Sequence, residues 1–250
     1  MACSQAFWQG KRVLVTGHTG FKGNWLTVFL HELGAHVTGF ALPPESSPLS
    51  QPQLEALCTS VYGDIRDAHA VNTVIQETQP EIVIHMAAQP LVRYSYKNPV
   101  ETYQTNVMGV LHVLEALRSS PCTRVCVNVT TDKCYENSET QRAFQETDAL
   151  GGLDPYSNSK ACAELLSTAY RHSFFNDESS LALATARAGN VIGGGDWSQD
   201  RIVSDIIRAL LSQQPVALRS PQAVRPWQFV LEPLQGYLRL AEKLWTDKHA

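Results

Sequence analysis

Short apolar, β-rich segments alternate with helical segments along the first 187 residues, and this order constrains the fold more than any other feature. Strands joined through helices pair in parallel with right-handed crossovers. We therefore predict an α/β fold with a Rossmann-type doubly wound parallel sheet. The predicted strands are 12–16, 35–40, 61–62, 81–85, 124–129 and 181–186, and the predicted helices are 20–33, 68–77, 99–119 and 155–172.

The pattern changes after residue 187. A glycine-rich stretch comes first, followed by a predicted helix over 201–213, a short strand near Val216 and a helix over 232–243. The proline- and serine-rich stretch 43–52 is predicted to be a surface loop. We predict one large domain over 1–187 and the beginning of a smaller domain over 188–250.

Charge and composition exclude several classes of protein. The net charge is −4 and the basic residues are scattered, so no nucleic-acid partner is expected. No secretion signal and no membrane-spanning segment are visible. The six cysteines include no CxxC pair, so we expect no metal site and a cytoplasmic location.

Three glycines, Gly17, Gly20 and Gly23, follow the first predicted strand and open the first predicted helix. Glycines at such a turn let the backbone approach a pyrophosphate, whose charge then rests on helix N-terminal amides. We predict a dinucleotide site here that also includes Thr19, Phe21 and Lys22. The alternative is a turn that serves packing only.

The second predicted strand is followed by neither an acidic residue for the adenosine ribose nor an arginine for a 2′-phosphate. Asp64, after the third strand, can hydrogen-bond the adenine amine or cap a turn towards Arg66, and Ile65 lies beside it. His18, inside the glycine loop, either contacts the cofactor or is exposed. His85, at the end of an apolar strand, is predicted to be a hydrogen-bonded core histidine.

Tyr156 and Lys160 are four positions apart on one predicted helix, so their side chains share a face. A lysine ammonium near a phenol favours the phenolate and lowers a reference pKa of ~10. The pair is therefore predicted to abstract protons.

Thr131, Asp132 and Lys133 follow the fifth predicted strand, at the edge of the sheet where ligands of open α/β sheets bind. Thr131 can hydrogen-bond a sugar hydroxyl beside Tyr156, Asp132 can donate or accept a proton, and Lys133 can act as a base. The alternative for Asp132 is the cap of a turn.

Together these stretches resemble the extended short-chain dehydrogenases, and within them the nucleotide-sugar 4,6-dehydratases. The general dehydratase pattern is Thr-Asp-Glu, whereas this chain has Lys133, the form associated with the branch that acts on CDP-glucose. The matching stretches are 7–11, 17–23, 85–93, 131–135, 154–160, 187–197 and 225–227.

The resemblance implies a lyase that uses NAD. Tyr156, supported by Thr131 and Lys160, takes the proton of the sugar 4-hydroxyl while a hydride passes from C4 to NAD. Water then leaves across C5 and C6 with the help of Asp132 and Lys133, and the hydride returns to C6. The division of work between Asp132 and Lys133 is left open.

The resemblance also assigns binding residues and a partner. Further NAD contacts are expected from Ala87, Ala88 and Gln89, and substrate contacts from Arg93, Asn190, Arg201 and Arg225. Arg93 and the last two arginines can instead be paired or solvated charges. Members of the family pair through two long helices, which correspond to 99–119 and 155–172, although a buried intramolecular face has the same pattern. A homodimer is therefore an expectation.

Members of the family continue beyond the position of Ala250 with further substrate-binding structure. A second hypothesis is therefore an NAD-binding module without catalysis. A third is a nucleotide-sugar 4-epimerase, which needs Tyr156 and Lys160 but not Asp132 and Lys133.

Overall fold

The computed structural model describes residues 3–44, 49–136 and 142–249. The strands of the main sheet are β1 (Arg12–Thr16), β2 (His36–Ala41), β3 (Thr59–Tyr62), β4 (Ile82–His85), β5 (Val125–Val129) and β6 (Ala182–Ala186). They pair in parallel in the order β3-β2-β1-β4-β5-β6. The chain reverses direction across the sheet between β1 and β4, so the predicted doubly wound sheet is confirmed.

Helices cover both faces of this sheet. Their bounds are α1 (Gln5–Trp8), α2 (Phe21–Glu32), α3 (Gln51–Glu55), α4 (Ala68–Thr78), α5 (Val92–Lys97), α6 (Pro99–Tyr103), α7 (Gly109–Arg118), α8 (Pro155–Ser173), α9 (Ile202–Leu211) and α10 (Leu231–Thr246). On one face, α2 and α10 pack against β1, β4 and β5. On the other face, α4, α7 and α8 pack against the alternate residues of the same strands. Both faces of the sheet are therefore buried beneath helices, as is usual for a parallel sheet.

The predicted helix over 99–119 is interrupted by a π-helical segment, Gln104–Met108, between α6 and α7. Asn106 in this segment is 1% exposed, and its amide joins the backbone of Gln89 to the hydroxyl of Ser159. π-Bulges of this kind are frequent at functional sites. Here the bulge ties the loop after β4 to α8.

The segment after residue 187 forms a second, two-stranded parallel sheet from β7 (Asn190–Ile192) and β8 (Trp227–Phe229). The prediction of a strand near Val216 was wrong, because residues 214–219 form no strand and Val216 is exposed. The helix predicted over 232–243 is α10, which packs on the main sheet. The boundary between 1–187 and 188–250 stays a prediction.

The loop predicted over 43–52 also needs a correction. Residues 45–48 lie outside the described residues, but α3 begins at Gln51 within the predicted loop. A capping box between Ser50 and Gln53 starts this helix, and Pro52 occupies a position in the first turn, where its missing N–H removes no helical hydrogen bond.

Candidate active site

The polar residues singled out in the sequence gather at the carboxyl edge of the main sheet. The glycine loop follows β1, residues 86–89 follow β4, residues 130–133 follow β5, and Arg187 follows β6. Because all these strands are parallel, their carboxyl ends open on one side of the sheet, where a crevice for ligands forms.

Two of the three loop glycines are required by the backbone. Gly17 has a φ of 77°, and a Cβ there would lie 2.8 Å from the nitrogen of Ala87. A Cβ on Gly23 would lie 2.1 Å from the carbonyl oxygen of Gly17. Gly20 is the N-cap of α2 and makes no side-chain capping bond. The first amides of this twelve-residue helix are therefore left for an anionic ligand.

The other residues of the loop face different parts of the protein. The Thr19 hydroxyl donates to the Leu42 carbonyl at 3.1 Å, and the Phe21 ring approaches Gly193. The Lys22 ammonium donates to the Tyr237 hydroxyl on α10 at 2.9 Å and lies over the same ring. Burial, together with the nearby charges of Lys160 and Arg201, lowers the pKa of Lys22 to about 7.

His18 occupies the space beneath β2. Its side chain is fully buried, so the exposed alternative was wrong, and a Cβ on Gly39 would lie 2.2 Å from its ring. Burial lowers the pKa of His18 to about 4, so the ring is neutral, and Nε2 lies 3.1 Å from the Ser60 hydroxyl. The predicted core histidine at His85 is confirmed: it is 2% exposed, and Nδ1 lies 2.7 Å from the Thr16 hydroxyl.

The carboxylate of Asp64 accepts from the backbone and the guanidinium of Arg66, which hold the pKa of Asp64 below its usual value. The turn towards Arg66, one of the two alternatives for Asp64, is therefore present. Ile65 is buried against Gly109 of α7. Beside these residues lies a cleft of about 450 Å³ that His112 also lines.

The loop after β4 is held from two sides. The amides of Met86 and Ala87 both donate to the Thr16 hydroxyl, each at 3.1 Å. Gln89 is bound by Asn106, as described above, and its side chain donates to Thr102 at 2.9 Å. Ala88 lies between these anchors and is partly exposed.

Tyr156 and Lys160 lie on the first two turns of α8, whose N-cap Asp154 accepts from the amide of Ser157 at 3.0 Å. They are 8% and 5% exposed. The Lys160 ammonium donates to the carbonyl of Val129 at 3.3 Å, and burial lowers the pKa of Lys160 to about 8.

The pKa of Tyr156 differs from the sequence-based expectation. Burial raises it to about 12, while the hydroxyl of Thr131 and the charge of Arg201 act in the opposite direction. The expected lowering by Lys160 was wrong for this structure. Desolvation of a buried phenolate outweighs the nearby charges.

Thr131, Asp132 and Lys133 form one turn, and Asp132 begins a 3₁₀ segment that ends at Cys134. The Thr131 hydroxyl donates to the Asp132 carboxylate at 3.1 Å and lies near enough to Tyr156 to act against the rise of its pKa. The Lys133 ammonium lies 3.6 Å from the Asp132 carboxylate and 3.4 Å from the Asn190 amide oxygen. The structure therefore joins Thr131, Asp132, Lys133 and Asn190 through contacts, with Tyr156 beside Thr131.

A buried ion pair that the sequence did not point to lies under this group. Glu164 is 2% exposed and accepts from the guanidinium of Arg187 at 3.0 and 2.9 Å. It also accepts from the hydroxyls of Thr130 and Thr185. Glu164 lies four residues after Lys160, a spacing that marks the same helix face and was an available signal. Asn106 gave no such signal, because a π-bulge has no sequence signature.

The predicted substrate arginines have protein partners. Arg93 pairs with Asp200 at 2.8 Å, and Arg201 pairs with Asp196 at 2.9 Å while its charge still reaches Tyr156. Arg225 is exposed and donates to the adjacent backbone carbonyl. Arg201 thus lies near the catalytic candidates, Arg93 contacts the residue that precedes Arg201, and Arg225 contacts only the carbonyl of its own neighbour among the contacts described.

Two absences hold for the part of the chain that the structure describes. No helix there has the length and apolar character needed to cross a membrane. No three His, Cys, Asp or Glu side chains there come together in a way that would hold a metal ion.

Comparisons with known proteins agree with this geometry. A sequence profile of the GDP-mannose 4,6-dehydratase family matches residues 14–249. The chain is 53% identical over 247 residues to a CDP-glucose 4,6-dehydratase of Salmonella typhimurium, covering 96% of this chain and 69% of that relative. It is 31% identical over 228 residues to a dTDP-glucose 4,6-dehydratase of Xanthomonas campestris, covering 87% of this chain and 64% of that relative.

Solved structures share the fold. An epimerase from Methanothermobacter thermautotrophicus superposes with a TM-score of 0.83 at 26% identity, covering 95% of this chain and 69% of the other. A dTDP-glucose 4,6-dehydratase from Streptomyces venezuelae with NAD and TYD bound superposes with a TM-score of 0.78 at 23% identity, covering 94% and 72%.

Proposed function

The chain belongs to the GDP-mannose 4,6-dehydratase family, and on that premise we propose that it removes water from a nucleoside diphosphate hexose, CDP-glucose, with NAD as hydride carrier. One observation carries the proposal: beside the buried Tyr156, Thr131 donates to the Asp132 carboxylate at 3.1 Å, and the Lys133 ammonium lies 3.6 Å from the same carboxylate. Oxidation at C4 needs Tyr156, whereas elimination across C5 and C6 needs a second acid and base. An epimerase needs the tyrosine for oxidation at C4 but not the second acid and base.

The residues around the glycine loop fit NAD. Gly17 and Gly23 leave space that a Cβ would fill, and the uncapped start of α2 offers amides to a pyrophosphate. When bound, NAD supplies the chemistry that the side chains lack, because it takes up a hydride from C4 and returns it at C6. Thr19, Gly20, Phe21 and Lys22 would border the pyrophosphate.

The remaining NAD contacts are proposed from two neighbouring loops. Asp64 and Ile65 would border the adenine, and Ala87, Ala88 and Gln89 would line the path to the nicotinamide.

In the oxidation, Tyr156 takes the proton of the 4-hydroxyl, and Thr131 holds that hydroxyl in line. Lys160 is fixed by the Val129 carbonyl one turn along α8 and keeps a cation near the developing phenolate charge. The high pKa of Tyr156 means that the tyrosine becomes a base only when further positive charge enters the site.

In the elimination, Asp132 protonates the departing 6-hydroxyl, and Lys133 in its uncharged form takes the proton from C5. The contact between Lys133 and Asn190 holds the lysine on the substrate side of the turn. We base this division of work on the side-chain contacts: the Asp132 carboxylate accepts from Thr131, whereas the Lys133 ammonium reaches Asn190 on the other side of the turn.

The choice of CDP-glucose rests on similarity. The chain is 53% identical to the CDP-glucose relative and 31% identical to the dTDP-glucose relative. Arg201 and Arg225 suit a diphosphate, because a guanidinium makes two parallel hydrogen bonds to phosphate oxygens. Arg201 would exchange Asp196 for phosphate, and Arg93 would exchange Asp200.

We also propose a homodimer and a cytoplasmic location. Apolar side chains are exposed along the proposed pairing helices, among them Val100 at 68%, Met108 at 41% and Leu165 at 58%. All six cysteines are free thiols, as in a reducing compartment. Sedimentation of the chain and of a Leu165→Glu variant tests the dimer, which this charge should dissociate.

The proposed reaction is tested by mass spectrometry of CDP-glucose and dTDP-glucose after separate incubation with the chain and NAD. We expect CDP-glucose to lose the mass of one water and dTDP-glucose to stay unchanged. A product of unchanged mass but altered configuration would indicate an epimerase. A folded chain that binds NAD and alters neither sugar would indicate a binding module.

A further inference from the structure

We propose that Arg187 is a positioning residue that fixes the turn of Asp132 and Lys133 against α8. Tyr156 and Lys160, the residues of the oxidation step, lie on that helix. This inference rests on the proposed function and deepens it, because it names the residue that keeps the groups of oxidation and of elimination in register. Arg187 acts through the segments that it joins, not on the sugar.

The backbone on either side of Arg187 holds the turn. The amide of Thr130 donates to the carbonyl of Ala186 at 2.9 Å, and the amide of Asp132 donates to the carbonyl of Ala188 at 3.0 Å. Because Arg187 lies between these two carbonyls, a movement of its backbone is passed to the turn through both hydrogen bonds.

The guanidinium of Arg187 holds α8. Its Nε and Nη2 donate to the two carboxylate oxygens of Glu164 at 3.0 and 2.9 Å. Two parallel bonds of this kind fix the relative orientation of the groups as well as their distance. Glu164 also accepts from the hydroxyl of Thr130, beside the turn, and from that of Thr185 on β6 at 2.8 Å. The helix is therefore tied to the ends of β5 and β6 one turn after Lys160.

The third nitrogen of the guanidinium and its flat face hold a further segment. Nη1 donates to the carbonyl of Glu146 at 3.1 Å, and the central carbon lies 4.8 Å from the centre of the Tyr135 ring. Tyr135 follows the 3₁₀ segment of the turn, and its ring stacks on that of Phe144, with centroids 4.6 Å apart and 3° between the planes. Arg187 thus joins α8, the turn and the segment 142–150 through one planar group.

The contacts of Arg187 call for a guanidinium. This group has donors in fixed directions and a flat face that packs on a ring, whereas a lysine ammonium is a point charge on a flexible stem. The Arg187 side chain is 17% exposed and that of Glu164 is 2% exposed, so water competes little for these bonds. A lysine at position 187 would keep the charge beside Glu164 but lose the geometry.

The reaction needs this geometry because its two halves use groups from different elements. Oxidation at C4 uses Tyr156 and Lys160 of α8, whereas elimination across C5 and C6 uses Asp132 and Lys133 of the turn. One bound sugar must reach both sets. A displacement of about 1 Å between reacting groups can cost roughly 100-fold in rate. A loosened turn should therefore slow elimination more than oxidation.

The experiment compares Arg187→Lys and Tyr135→Leu with the unaltered chain. Tyr135→Phe keeps the ring beside the guanidinium and is the conservative replacement. A matched control lies at the other end of α8, where Arg118 lies 3.9 Å from the centre of the Phe174 ring and pairs with Glu115 at 3.0 Å. Arg118→Lys alters the same kind of contact away from the site.

Each protein is mixed with NAD and CDP-glucose in a single turnover. The absorbance of reduced nicotinamide reports oxidation, and mass spectrometry of quenched samples reports loss of water. We expect Arg187→Lys and Tyr135→Leu to lower the rate of elimination relative to oxidation roughly 10- to 100-fold, with KM for CDP-glucose unchanged in steady-state turnover. Tyr135→Phe and Arg118→Lys should behave as the unaltered chain does. Equal ratios in all five proteins overturn the proposal.

The double variant Glu164→Gln with Arg187→Met separates positioning from stability. It no longer buries an unpaired charge, so its free energy of unfolding should recover part of what Glu164→Gln alone loses. The positioning role predicts that elimination does not recover with it, because no group then joins the three segments. Recovery of both quantities together would mean that Arg187 serves stability only.

A second measurement needs no turnover. Hydrogen exchange of the free chain, followed by mass spectrometry, reports how readily the hydrogen bonds of the turn open. We expect faster exchange over 130–136 in Arg187→Lys and Tyr135→Leu, and unchanged exchange there in Arg118→Lys. Equal exchange over this segment contradicts the role of Arg187. A lack of water loss in the unaltered chain would refute the proposed function instead, and the exchange would still decide whether Arg187 holds the turn.

Discussion

Replacing Glu164 with glutamine should destabilise the protein more than any other single change to an ion pair described here. The glutamine keeps the shape of the side chain but leaves the Arg187 guanidinium, 17% exposed, without its counter-charge. Removing one partner of a buried pair costs about 3–5 kcal/mol. Because Arg187 retains some contact with water, we expect a loss at the lower end of this range, about 3 kcal/mol. For a chain of this length, that loss corresponds to a fall in Tm of roughly 6–12 °C.

The assay is thermal and urea unfolding of Glu164→Gln beside a matched control, Glu115→Gln. Glu115 also pairs with an arginine, but its side chain is 47% exposed. The control should therefore lose no more than about 1 kcal/mol. A double variant, Glu164→Gln with Arg187→Met, should regain part of the loss, because it no longer buries an unpaired charge.

The pH dependence of the free energy of unfolding tests the same ion pair. Burial alone would raise the pKa of Glu164, but the hydrogen bonds from Arg187, Thr130 and Thr185 outweigh it and hold the pKa below its usual value. A group with a lowered pKa stabilises the fold above its unfolded value, ~4.3 for glutamate, and this stability is lost as the pH falls through the folded value. The acid limb of the stability curve should be shallower in Glu164→Gln. Equal stability of the variant and the control at pH 7, or identical acid limbs, would refute the reasoning.

Four further outcomes are expected. Tyr156→Phe should abolish product in mass spectrometry while NAD binding, measured by calorimetry, stays nearly intact; lost binding would mean a different role for the tyrosine. Lys133→Met should slow loss of water more than oxidation at C4, and equal slowing of both would remove its role in elimination. Gly17→Ala should cost about 1–3 kcal/mol in urea unfolding and weaken NAD binding, since its Cβ would meet the Ala87 backbone at a positive φ, and an unchanged midpoint would contradict this. The affinity for NAD should fall roughly tenfold as the pH rises through about 7, where Lys22 loses its charge, and Lys22→Gln should remove this dependence; the same slope in both would exclude Lys22.

The sequence determined the architecture. Each strand of the main sheet was marked by its own run of β-branched and apolar residues, and each crossover except that from β2 to β3 by a helical period, so parallel pairing followed from local pattern and chain chirality. The same local logic placed the glycine loop between β1 and α2, and put Tyr156 and Lys160 on one face of α8. Where the pattern was too short, as in β8 with three residues, the prediction failed.

Only the tertiary structure decided the electrostatics of the site. The sequence predicted that Lys160 lowers the pKa of Tyr156, but the fold buries the phenol and raises the pKa instead. The fold also pairs Glu164 with Arg187, which are 23 positions apart in the sequence, and Lys22 with Tyr237, which are 215 positions apart. Secondary-structure propensity depends on residues that are close in the sequence. The burial of a side chain and the identity of its partner depend instead on residues that come together only when the helices pack on the sheet. The residue types in the site could therefore be listed from the sequence, but the protonation state and partner of each could not.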